Sequence, residues 1–115
     1  ELVSVNEISS TLPSKYSLSQ NYPNPFNPVT KIRFDVPSLS SPLAKQIREA
    51  SLGGDLILLK IFDITGKEVA TLVNEVLHPG TYEATFDGSN FTSGVYFYQL
   101  TSGNYKETKK LLLLK

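Results

Sequence analysis

The chain has 115 residues, a formal net charge of zero, 40% hydrophobic residues and no Cys, Met or Trp. That length suits one domain whose core stands without crosslinks, and the missing cysteines exclude a disulfide framework, a thiolate zinc site and a thiol nucleophile. A single histidine, His78, leaves no His pair for a metal and no partner set for a Ser-His-Asp triad, while the balanced charge lacks the basic excess a nucleic-acid partner requires.

Residues 1–14, ELVSVNEISSTLPS, are Ser-rich and show no sustained period. They read as a linker from a preceding passenger domain, with a short extended piece docking at Leu2–Val5. With no Met in the chain, Glu1 is read as an internal residue of a longer protein. No basic-then-apolar leader pattern opens it.

Tyr16–Gln20 is expected to form a short strand. The segment that follows places Pro23, Pro25 and Pro28 close together. Proline fixes its own φ, lacks an N–H and pushes its predecessor toward extended geometry, so a rigid crossing is expected here, anchored by Tyr22 and Phe26. In Lys31–Val36, Ile32, Phe34 and Val36 alternate with charged residues, the period of a half-buried strand. Ser38–Asp55 is bounded by Ser, Pro and Gly, and reads as a long loop or a short helix insertion with Pro42 in its first turn.

Leu56–Ile64 is nearly continuous apolar sequence, as in a central strand. Thr65–Gly66 turns the chain into a returning strand, Lys67–Val73. His78–Pro79–Gly80 is the next turn, and Thr81–Phe86 alternates again. A polar loop spans Asp87–Gly94. Val95–Leu100, apolar on both faces, reads as a second central strand. Ser102–Gly103–Asn104 is a tight turn before the last strand, Tyr105–Leu114. These make about seven short strands over roughly 100 residues, the pattern of an immunoglobulin-like antiparallel β-sandwich without the Cys–Trp–Cys mark of antibody domains. A small barrel is the competing architecture.

No catalytic constellation emerges. Asp35, Asp63, Glu83 and Asp87 stand in no catalytic motif, and the serines lack a G-x-S-x-G elbow. Asp87–Asn90 faintly resembles a calcium loop but lacks its alternating ligands and closing Glu, so a side-chain-stabilised turn is the simpler reading. Asn90–Phe91–Thr92 matches a glycosylation acceptor in form only. Tyr96, Phe97 and Tyr98 cannot make one base-stacking platform, because neighbouring strand residues face opposite sides. Neither an enzyme activity nor a cofactor or metal is expected. No membrane span is expected either, since Leu111–Leu114 is as long an apolar run as the chain has.

Composition is uneven only at the end. KETKKLLLLK sets Lys106, Lys109, Lys110 and Lys115 against one acid, Glu107. Alternation should turn two of Leu111, Leu112, Leu113 and Leu114 inward and two outward. Either both faces are covered, one by the core and one by the N-terminal segment, or an apolar edge flanked by lysines is recognised by strand addition.

In their order, NYPNPFNP, VTKIRF, LKIFDITGKEVATLV, PGTYEATFDG, SGVYFYQL and KKLLLLK resemble the type A C-terminal sorting domain of type IX secretion cargo in Bacteroidetes-type bacteria. The resemblance runs from Tyr16 to Lys115, and a sorting domain over residues 15–115 follows from it. It implies an immunoglobulin-like sandwich on a larger cargo protein, read by the outer-membrane translocon after export to the periplasm and usually removed by a surface sortase. The family's P-x-P element falls on Pro23 and Pro25, its D-x-x-G turn on Asp63 and Gly66, and its G-x-Y element on Gly94 and Tyr96. These six are expected to serve the fold. Lys109, Lys110, Leu111, Leu112, Leu113, Leu114 and Lys115 are expected to contact the translocon. The insertion at Ser38–Asp55 is long for the family. A retained carbohydrate- or surface-binding module on an extracellular enzyme is the alternative.

Overall fold

A computed structural model of the chain describes residues 5–9, 13–37 and 55–115. The loop or helix expected over Ser38–Asp55 lies outside the described residues, except for Asp55, which opens a strand. Among the described residues there are eight strands: β1 (Asn6–Ser9), β2 (Ser17–Leu18), β3 (Val29–Val36), β4 (Asp55–Phe62), β5 (Glu68–Leu77), β6 (Gly80–Asp87), β7 (Gly94–Ser102) and β8 (Tyr105–Leu113). They form two four-stranded antiparallel sheets, ordered β1-β6-β3-β2 and β5-β4-β7-β8. This is the expected immunoglobulin-like sandwich with one strand more than expected, β1, which pairs with β6 from within the stretch read as linker. Among the described residues there is no helix long and apolar enough to cross a membrane.

Alternation decides the layers. Ile32, Phe34 and Val36 of β3, with Tyr82, Ala84 and Phe86 of β6, face inward from the first sheet. Ile57, Leu59 and Ile61 of β4, with Tyr96, Tyr98 and Leu100 of β7, meet them from the second. Strands at residue spacing two present one side chain in each pair to the core, and burial of that apolar area is the main stabilising term. The two runs that are apolar on both faces, β4 and β7, are the two interior strands of their sheet.

The expected strand Tyr16–Gln20 narrows to Ser17–Leu18. Beyond it the chain becomes a strap. Ser19 and Tyr22 still bond to β3, through Ser19 N to Arg33 O and Tyr22 N to Lys31 O, both 2.9 Å. The peptide bonds preceding Pro23, Pro25 and Pro28 are cis. The prolines have no N–H to continue the ladder, so the strap leaves β3 and crosses to the other sheet, where Phe26 bridges Leu113 in parallel. The strap therefore closes the side of the sandwich on which β2 and β8 are the edge strands.

Candidate functional site

β8 is an edge strand, paired with β7 from Gly94↔Leu113 to Ser102↔Tyr105. Its inward residues Leu111 and Leu113 are fully buried, whereas Leu112 is half-buried and Leu114 is 50% exposed. Lys106 and Lys110 are exposed on the outer face, and Lys109 is half-buried with its ammonium 3.5 Å from Glu107. The parity expected of the four leucines is present. Leu111 and Leu113, placed among the recognition residues from sequence, lie in the core of the folded domain.

The outer edge of β8, where strand addition would occur, is occupied by the strap. Phe26 N donates to Leu112 O at 3.0 Å and Leu114 N donates to Phe26 O at 2.9 Å. Leu112 N donates to Asn24 Oδ1 at 3.0 Å, and Gln20 Nε2 donates to Lys110 O at 2.7 Å. A partner strand would have to displace all four bonds. Farther along, the Tyr16 ring stacks on Tyr105 at 4.8 Å, and the Tyr16 hydroxyl reaches Asp55 and Ser102 at 2.7 and 2.9 Å. Tyr105 in turn donates a short hydrogen bond to Glu107. That bond, with Lys109 beside it, holds the Glu107 carboxyl below the usual range.

The strap is itself pinned from beneath. The hydroxyl of Tyr98, a fully buried residue of β7, donates to Ser19 O at 2.6 Å and accepts from Asn21 N at 2.8 Å. Burial pushes this phenol up to about 12. Asn21 Nδ2 donates to Pro23 O and to Thr30 Oγ1, each at 3.0 Å. Tyr98→Phe should cost about 1–3 kcal/mol at neutral pH, because Asn21 N and Ser19 O lose their shared partner in a buried place. The raised phenol adds a pH signature. The unfolded chain loses that proton near pH ~10 while the folded one keeps it, so stability falls as pH climbs from about 10 toward 12. Urea titrations across that range should show a shallower decline in the Phe variant than in the parent.

The last residue sits on the loop after β6. Lys115 N donates to Ser93 Oγ at 2.9 Å and its Nζ donates to Ser89 O at 2.6 Å. Ser89 bonds Asp87 Oδ1 through both its N–H and its hydroxyl, which lowers the Asp87 carboxyl pKa, with the Lys115 charge assisting. Gly88 lies where Leu113, Phe26 and Pro28 converge, and a Cβ there would stand 3.1 Å from Leu113 Cδ2. A larger residue there would require Leu113 to give way by a few tenths of an ångström.

Of the other family positions, Asp63 and Gly66 lie apart from this edge, in the β4–β5 turn. Pro23 and Pro25 are exposed on the strap, with Pro23 O accepting from Thr30 Oγ1 at 2.8 Å. Asp63 Oδ1 accepts three bonds inside the β4–β5 turn, from Thr65 N, Thr65 Oγ1 and Lys67 N. These bonds hold the Asp63 carboxyl below its usual range. Gly66 completes that turn at φ +89°, a left-handed conformation open to glycine at little cost. Gly94 opens β7 opposite Leu113, and buried Tyr96 donates its hydroxyl to Thr92 O at 2.7 Å. Sequence reasoning did not single out Gln20, Asn21, Asn24, Ser89 or Ser93 as partners of the terminal strand. Asn before Pro was the one available sign for Asn24, since such pairs mark turns whose side chains bond nearby backbone.

The family model of the secretion system C-terminal sorting domain matches residues 20–114, which take in the strap from Gln20 onward and all of β8. No curated protein matches the sequence.

Proposed function

The chain belongs to the secretion system C-terminal sorting domain family of type IX secretion, and from that membership we propose that it carries an N-terminally fused passenger to the outer-membrane translocon as a folded, non-catalytic signal. The cargo passes through the periplasm to the cell surface or the extracellular space. A surface sortase then removes the domain by cutting upstream of or within residues 1–14.

The observation that supports a folded signal is the clamp on β8. Leu111 and Leu113 lie in the core and the strap holds the strand's outer edge. What a receptor meets is a surface: Lys110, the outward side of Leu112, Leu114 and Lys115. Lys109 turns toward Glu107 and contributes at the margin.

Residues 1–115 fused behind a periplasmic reporter should be exported in a host with this system, and deletion of 110–115 should abolish export. That deletion also removes core leucines, so the surface variant Lys110→Glu/Leu114→Asp separates recognition from folding. Loss of export with an unchanged unfolding midpoint is expected. Export of both altered fusions at the parental level would overturn the reading. Mass spectrometry of the surface passenger should place its new C-terminus upstream of or within 1–14; a passenger still carrying Tyr16–Lys115 would count against removal.

A further inference from the structure

The outer face of the second sheet carries a feature that the clamp does not use. Phe62 of β4, Phe97 of β7 and Lys110 of β8 lie in one cross-strand row, with Lys60, Gln99 and Thr108 in the next. Above this row the β4–β5 turn presents Ile64, which is 70% exposed. Asp63, Ile64 and Gly66 of the turn, with Phe62, Phe97, Gln99 and Thr108 of the sheet, line an open groove of about 370 Å³. A large aliphatic side chain at a turn tip gains nothing from solvent, and this turn is rigid. Asp63 closes it with its carboxylate, and Gly66 N donates to Asp63 O at 3.0 Å. A preorganised apolar tip beside half-buried aromatic rings is what binding anchors look like, because little entropy is lost on docking.

Charge narrows the occupant. The Asp63 carboxylate is engaged inside the turn, and Glu68 is bonded to Thr71 and paired with Lys60 at 3.2 Å. Lys67 offsets the Asp63 charge, and Lys110, exposed at the β8 end of the Phe62–Phe97 row, leaves one positive charge in excess beside the groove. The volume suits one or two side chains rather than a domain face. The geometry points to the Ile64 groove as a second contact of the sorting domain with the translocon, taking an extended protein segment with one apolar side chain and a carboxylate beside it. This rests on the sorting function proposed above and extends the surface of β8 across β7 to the turn.

The test uses the complete cargo in a host with the system. Ile64→Asp should cut export at least about ten-fold, as loss of one apolar anchor does, while Ile64→Leu retains it. Lys110→Glu should lower export, and Lys110→Arg should not. Val76→Asp, at a site 56% exposed at the far end of the same sheet, should export like the parent. Unfolding midpoints of the Ile64 variants should match the parent. Parental export of Ile64→Asp, or an equal loss in Val76→Asp, would overturn the groove. So would self-association of the parent domain in sedimentation that Ile64→Asp abolishes, because the occupant would then be a second copy. Failure of the unaltered cargo to export would instead overturn the sorting function, and the groove with it.

Discussion

Phe26→Ala is expected to lower the free energy of unfolding by about 3–5 kcal/mol, the range for deleting a buried aromatic ring. Phe26 is 2% exposed, packs on Phe86 with ring centroids 5.8 Å apart, and touches the space over Gly88. Its backbone makes the two main-chain bonds that cover Leu112 and Leu114. Truncation therefore opens a cavity and also loosens the cover of the β8 edge. Domains of this size are held by roughly 5–15 kcal/mol, so the variant should be marginal at 37 °C. Chemical denaturation measures it directly. Tyr22→Ala, four residues earlier on the same strap but at an 81% exposed site, should stay within about 0.5 kcal/mol of the parent. Equal midpoints for Phe26→Ala and the parent would show that the strap carries no part of the core.

The second large effect separates adjacent leucines. Leu113→Ala should cost about 2–5 kcal/mol, whereas Leu114→Ala should change stability by no more than about 0.5 kcal/mol. Leu113 is fully buried, bridges Phe26 and lies against Gly88, while half of Leu114 is in solvent. Export should reverse the contrast for polar changes at the surface: Leu114→Asp should fold normally and deliver poorly. Similar unfolding midpoints for the two Ala variants would mean that β8 is not seated as described.

Much of this architecture is legible in local periodicity. Ile32, Phe34 and Val36 declare their face by spacing two, and so do Tyr82, Ala84 and Phe86. The apolar runs of β4 and β7 mark interior strands, whose two edges are both paired. Asp63 with Gly66 announces a turn through residue chemistry alone. The strap is different. Prolines and asparagines have no period, so nothing in NYPNPFNP tells which edge it will cover. β1 escaped for a related reason: a four-residue strand among serines is defined by its pairing with β6, not by its own pattern. The parity of Leu111–Leu114 follows from β geometry, yet which two of the four are buried required the opposing sheet. Ile64 was read as the end of a strand, and only the closed turn shows it standing free.

The clamp joins residues far apart in the order of synthesis. Gln20 meets Lys110 across 90 positions, and Asn24 meets Leu112 across 88. Such contacts form late, since the loop between them must close first. During synthesis the strap emerges long before its partner strand. Until β8 arrives, Phe26 lacks the bridge to Leu113 and the bonds to Leu112 and Leu114. A product broken off before that point would carry the strap but no seated terminal strand. The clamp is therefore complete only when the polypeptide has been made through Leu114.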